Sequence, residues 1–321
     1  MMAVAENTVS NGKSAQDTAG GSKAAQPSGR VPLIVFGVAL LAATGAVQAQ
    51  IVADSQAQAA QRPTVLKNSD GSPLVNIQTP NNKGLSHNRY TQFDVDAKGA
   101  VLNNNRASNP NLSKGSAQLI LNEIRSNSPS QLNGIISVGG AKADVVIANP
   151  AGIQVNGGGF QNASRAVLTT GAPVLKDGGL DSFDIRKGSV SIGSGGFDNR
   201  GADYTEILAR AASVQGKIQA NQLSVSTGAQ KVDFQSGEVS NGTAEGTKPL
   251  TAIDTAALGG MYANSITLLA NEKGIGVKNA GTLEAKQQLV ITSSGRIENQ
   301  GTIRTTAQSS DTEPTYLGIQ A

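Results

Sequence analysis

The sequence predicts an all-β chain wound as a right-handed parallel β-helix, and three observations carry that reading. Its 321 residues include 38 Gly and no Trp, and only 3% are aromatic. A core without large rings must be narrow and filled by Val, Ile, Leu and Ala. That suits a solenoid, whose coils each bury a thin strip against the next. Residues 276–283, GVKNAGTL, recur at 296–303 as RIENQGTI, an offset of 20 residues, and self-similarity at such spacing marks stacked coils. Around residues 143–160 the chain reads strand, corner, strand, corner, with no helix-period stretch nearby.

Taken in order, residues 1–30 are polar, with Lys13, Lys23 and Arg30 as positive charges, and residues 31–43 are apolar. The apolar run is too short to span a bilayer. Val47 and Ala49 supply the small residues that a signal peptidase reads before Gln50. Residues 1–49 are therefore predicted to be a secretory signal with a long n-region, the mature chain starting at Gln50. Residues 50–62 are polar and Ala/Gln-rich and are expected to be a loose lead-in. From Pro63 onward strand signals alternate with Asn/Gly turns: Leu74-Val75-Asn76-Ile77, then Tyr90 to Val95, then Ala100-Val101-Leu102 before Asn103-Asn104-Asn105. Residues 119–124, LILNEI, resemble a short helix, but the Asn and Ser turns that flank them favour a strand.

Val145, Val146 and Ile147 are the β-branched type that packs well on a pleated strand. Asn149-Pro150-Ala151-Gly152 breaks that run, because proline removes a donor and pushes Asn149 toward extended geometry while Gly152 can adopt positive φ. Ile153 and Val155 resume the alternation. Residues 218–225 read as a divergent coil, and residues 239–251 as a loop off the solenoid. In the repeat, Asn279 and Asn299 are expected to stack on adjacent coils about 4.8 Å apart. Val277 with Ile297, and Leu283 with Ile303, are expected to point inward. Residues 304–321 are expected to be a poorly ordered tail: Pro314 cannot donate to a ladder, and Tyr316, Leu317 and Ile319 are too few for a coil. An uncovered last coil of this kind is expected of a truncated product or of a fragment of a longer stick.

The same residues exclude several classes of chemistry. Net charge is +3, and no basic cluster is interleaved with aromatics, which speaks against nucleic-acid binding. With no Cys there is no disulfide, thiolate catalysis or Cys-ligated zinc. The sole histidine, His87, reads as an exposed loop residue, and Glu123, Asp144, Asp181, Asp184, Asp203 and Glu206 as solvated surface charge. Gly157-Gly158-Gly159 lacks the Lys-Ser/Thr of a phosphate cradle. No catalytic constellation, cofactor, metal or small-molecule substrate is expected.

The stretch VVIANPAGI at 145–153, with GGGFQNASRAVLTTGAP at 157–173, resembles the secretion domain of filamentous-haemagglutinin-like exoproteins, which leave Gram-negative cells by two-partner secretion. That family carries two Asn-Pro motifs. The first stands here as Asn109-Pro110-Asn111-Leu112, and the second as Asn149-Pro150-Ala151-Gly152-Ile153, with Ala151 where many relatives have a second Asn. The resemblance runs from about Ile51 to Ile303. It implies a β-helix whose first coils are capped by extra strands within residues 63–130, the secretion domain and first coils together filling 63–303. It also implies export through the periplasm to the cell surface or medium by a dedicated outer-membrane transporter with periplasmic domains. Recognition would fall within residues 109–171, at Asn109, Pro110, Asn111, Leu112, Asn149, Pro150, Gly152 and Ile153, which either contact that partner or only shape corners. The exported protein would be an adhesin facing host or bacterial cells. The alternatives are the stalk of a contact-dependent growth inhibition toxin lacking its C-terminal effector and, less favoured, a carbohydrate-active β-helix enzyme.

Overall fold

The computed structural model describes residues 50–306 and 315–321. The expected signal segment, 1–49, lies outside the described residues, as do 307–314 of the expected tail. Parallel strands stack coil on coil into a 17-stranded sheet and a seven-stranded sheet. One coil shows the plan. Ile153–Val155 lies in the smaller sheet, the chain turns, and Gly159–Thr169 then runs through two successive faces of the larger one. The first part of that long strand pairs with Ile135–Gly140 and the rest with Ala143–Ala148. The bend between them falls at Asn162, which takes φ of 58°. Asparagine tolerates that region better than most residues. Its Nδ2 donates to the Val138 and Gly140 carbonyls of the coil below, at 2.8 and 3.1 Å. Asn221 repeats the device, donating to the Arg200 and Ala202 carbonyls at 3.0 and 2.8 Å.

Stacking in register turns sequence alternation into continuous buried rows. Ile147, Leu168, Ile207, Val225, Leu268 and Ile291 are successive partners, all at most 1% exposed. Burying each such side chain contributes about 1.5–3 kcal/mol. The 20-residue repeat is seated as the sequence predicts: Val277 pairs with Ile297 and Leu283 with Ile303. Asn279 Nδ2 donates to Asn299 Oδ1 at 2.8 Å.

Two antiparallel pairs stand at the N-terminal end, Thr64–Lys67 against Pro73–Asn76 and Ile51–Ala53 against Leu85–Phe93. The second pair corrects the expectation of a loose lead-in at 50–62. Ile51 is buried, and Gln61 Nε2 lies 3.0 Å from His87 Nδ1. The strand uses the apolar start of the segment, Ile51-Val52-Ala53, and seats Ile51 in the main core. The tail also differs from expectation. Tyr316–Gln320 adds a parallel strand to Thr282–Ser293, placing Ile319 beside Ile291. Backbone pairing suffices, although Tyr316, Leu317 and Ile319 stay about half exposed.

A four-stranded antiparallel sheet, Ala172–Lys176, Gly179–Ile185, Gln230–Asp233 and Val239–Asn241, leaves the solenoid in two excursions. Thus the start of the predicted 239–251 loop is a strand. Leu180, Phe183, Ile185, Val232 and Phe234 from this sheet cover outward-facing Leu85, Leu121, Val146, Val167 and Leu208 in a second core. Phe183 and Phe234 meet edge to face at 6.0 Å. Apolar side chains on both faces of these solenoid strands explain why VVIA and AVL read as unbroken apolar runs.

Candidate functional site

The two Asn-Pro motifs fold into corners with the same wiring. Asn109 caps the short 3-10 turn Pro110–Leu112, its Oδ1 accepting from Asn111 N at 3.0 Å. Its Nδ2 donates to the Ile77 and Asn103 carbonyls at 3.0 and 2.8 Å. Pro110 occupies the first helical position, where a missing N–H costs nothing. At the second corner Asn149 Oδ1 accepts from Ala151 N at 3.0 Å, and its Nδ2 donates to Ser128 O and Ser130 Oγ, both at 3.0 Å. Gly152 N donates back to Asn149 O at 2.9 Å and closes the turn. Gly152 has φ of 120°, and a Cβ there would lie 3.2 Å from the Ser189 carbonyl. The position therefore needs glycine.

In both corners the asparagine accepts from the amide two residues on and donates twice to the chain beside it. Aspartate can accept the first bond but donate neither of the others. Asn109 and Asn149 are 1% and 0% exposed, and Leu112, Gly152 and Ile153 are buried with them. Pro110 is exposed, while Asn111, Pro150 and Ala151 are half-buried. The departure at Ala151 has a specific consequence. Asn111 Nδ2 donates to the Ile77 carbonyl at 3.1 Å, and alanine brings no such amide to the second corner.

Single-residue reading of the sequence missed further buried amides of the same kind. Asn103 Nδ2 donates to Asn76 Oδ1 at 2.7 Å, and Asn104 Nδ2 donates to the Ala117 and Ala141 carbonyls, both at 2.9 Å. Asn122 donates to Val146 O and accepts from the Tyr90 hydroxyl, both near 3 Å. The run Asn103-Asn104-Asn105 was the available signal. It reads as a turn, whereas two of its three side chains fasten coils together.

The charged groups also depart from expectation. His87 is buried in the strand Leu85–Phe93, with Nε2 2.7 Å from Glu123 Oε2, and Arg89 Nε donates to the same oxygen at 3.0 Å. Burial alone would raise the Glu123 carboxyl, but the His87 hydrogen bond and the Arg89 charge outweigh it and hold the group below the usual glutamate range. Glu206 is 4% exposed. Burial pushes its carboxyl up against the pull of Arg165, whose Nε and Nη2 both donate to it. Arg165 Nη1 also donates to the Phe234 carbonyl at 2.6 Å, and its guanidinium lies 4.5 Å from the Phe234 ring centroid. This arginine pins the excursion sheet to the solenoid. Half-buried Asp144 is likewise raised by burial. Asp184 pairs with Arg186, and only Asp203, paired with Lys142, is exposed as expected. Glu123 and Glu206, which sequence reading leaves in solvent, are thus held by ion pairs, the first beside Gln61 of the N-terminal segment and the second where Phe234 covers Arg165. Among the described residues no three His, Cys, Asp or Glu gather to hold a metal ion.

Comparison with known proteins gives the family. The TPS secretion domain profile matches residues 49–305. The chain is 42% identical to Toxin CdiA of Yersinia pestis, over 96% of this chain and 10% of that protein. It is 40% identical to tRNA nuclease CdiA-2 of Burkholderia pseudomallei, over 82% of this chain and 9% of that protein. It thus spans about a tenth of the length of these curated relatives. The crystal structure of a filamentous hemagglutinin secretion domain superposes with a TM-score of 0.70 at 30% identity, covering 84% of this chain and 99% of that one. The chain belongs to the TPS secretion domain family, the part of two-partner secretion exoproteins that goes with their transport across the outer membrane to the cell surface.

Proposed function

We propose that residues 109–171 are read by the periplasmic domains of a dedicated outer-membrane transporter while the chain is still unfolded, and that the same residues then shape the first coils outside. The observation that carries this reading is burial. Asn109, Leu112, Asn149, Gly152 and Ile153 are inaccessible in the folded protein, so a partner reading them must meet them before folding. Extended segments suit strand addition to a partner's sheet. An unfolded chain with no Cys reaches the pore without cross-links. Each coil formed outside then buries several apolar side chains at about 1.5–3 kcal/mol apiece, which biases movement outward without ATP.

The test is binding of a 109–171 peptide and of the folded chain to the purified periplasmic domains. The peptide is expected to bind and a scrambled peptide of the same composition to fail, with the folded chain weaker by at least tenfold. Equal binding by the folded chain would put recognition on its exterior and overturn this reading.

For the whole exoprotein, adhesion to host or bacterial surfaces is the first reading. A second, the stalk of a contact-dependent toxin, is favoured by the names of the relatives, which are a toxin and a tRNA nuclease. The reading frame beyond residue 321 discriminates: long repeats support adhesion, and a variable C-terminal nuclease or pore-forming region supports toxin delivery.

A further inference from the structure

The seven-stranded sheet carries an outward groove of about 460 Å3 across three of its strands, Ser130–Leu132, Ile153–Val155 and Ser189–Ile192, and reaching Gln215 at the end of a fourth, Ala211–Val214. In each short strand the middle residues face out, and register stacks Gln131 on Gln154, Gln154 on Ser191 and Ser191 on Ser213. A second row runs beside the first at the corner, made by Asn133, Asn156 and Gln215. Between Asn156 and Gln215 that row passes Gly193, where a Cβ would lie 2.7 Å from Asn156 Oδ1, so the glycine leaves room for the Asn156 side chain. Asn156 Oδ1 accepts from Gly195 N at 2.7 Å, which fixes the rim and leaves its amide N–H groups to donate. No charged or aromatic side chain lines the groove. Charge begins beyond both ends: Asp94 Oδ1 accepts from Gln131 N at 2.8 Å, and on the other side Ser213 pairs with Asp254, which pairs with Lys278.

We propose that this groove binds a neutral glycan chain laid across the strands. Carboxamide and hydroxyl side chains each offer donors and acceptors, which is what a hydroxyl-rich pyranose presents in return. Parallel strands repeat about every 4.8 Å, so a chain crossing them meets Gln131, Gln154 and Ser191 on one row and Asn133, Asn156 and Gln215 on the other, over roughly 14 Å from the first coil to the fourth. An anionic or cationic polymer would find no counter-charge there. Without an aromatic platform a single groove binds weakly, at about millimolar Kd, and presentation of many copies on a cell surface raises the effective strength. The groove does not include the Asn-Pro side chains, and its Ser191 and Gln215 lie outside residues 109–171, so a change at Gln215 reads glycan binding apart from export.

The test is saturation-transfer NMR on the purified full secreted chain with three neutral trisaccharides, maltotriose, cellotriose and N-acetylchitotriose, at millimolar concentration. A sialylated and a sulfated oligosaccharide are the charged comparisons. At least one neutral trisaccharide is expected to receive saturation. The Gln131→Ala/Gln154→Ala protein, purified with unchanged circular dichroism, is expected to bind it at least tenfold more weakly. Gln215→Ala, on the other row, provides the same reading should the double variant fold poorly. No transfer to any neutral trisaccharide, transfer only to the charged ones, or unchanged affinity in folded variants of both rows would overturn the assignment.

Discussion

Asn149→Asp and Asn109→Asp are each expected to destabilise the folded protein by about 3 kcal/mol or more. The carboxylate keeps the bond from the amide two residues on. It loses both donated bonds, turns an anion toward the Ile77 and Asn103 carbonyls at the first corner and the Ser128 carbonyl at the second, and does so at positions 1% and 0% exposed. Asn→Ala at the same sites removes the bonds without adding charge and is expected to cost less. Urea melts of the purified folded chains read this directly. The second corner is expected to be the weaker of the two, since Ala151 brings no equivalent of the Asn111 amide that reaches the Ile77 carbonyl. Aspartate variants as stable as the parent would mean that the amides do not hold the corners.

The second large effect is expected in the repeat. Val277 is 2% exposed between Ile253 and Ile297 on the inward row, so Val277→Asp buries an unpaired charge and is expected to cost about 3–5 kcal/mol. Ile297→Asp should cost less, because Ile297 is only partly buried. Lys278 between them faces out, and Lys278→Ala is the quiet control. Lys278→Asp is a poorer control. Register places Lys278 between Asp254 and Glu298, and a third carboxylate there adds like-charge repulsion of up to about 1 kcal/mol. Equal losses in Val277→Asp and Lys278→Ala would contradict the coil register.

The solenoid was legible where the sequence repeats a shape. The pairing of Asn279 with Asn299 and of Leu283 with Ile303 needed only a fixed offset, because parallel in-register stacking maps sequence distance onto one coil. The Asn-Pro corners were legible as turns because proline and glycine constrain the backbone locally. What stayed hidden depends on contacts far apart in the chain. Nothing near His87 announces Glu123 or Gln61. Nothing near Arg165 announces that Phe234, 69 residues later, returns to cover it. The excursion sheet is likewise a tertiary fact, since its strands look like ordinary loop and strand in sequence until they bury the outward face of the solenoid. The two ends depart from expectation because a single short strand at the edge of a sheet carries no period or repeat in sequence: Ile51–Ala53 finds Leu85–Phe93 and Tyr316–Gln320 finds Thr282–Ser293 only in the folded chain.

Export through the corners is tested most directly by the amount of chain in the medium of cells carrying the matched transporter, measured for the parent and for Asn109→Asp/Asn149→Asp. The parent is expected in the medium only when the transporter is present, and the double variant is expected to be made at normal levels but held in the periplasm. Undiminished double variant in the medium, or parent protein released without the transporter, would contradict the account.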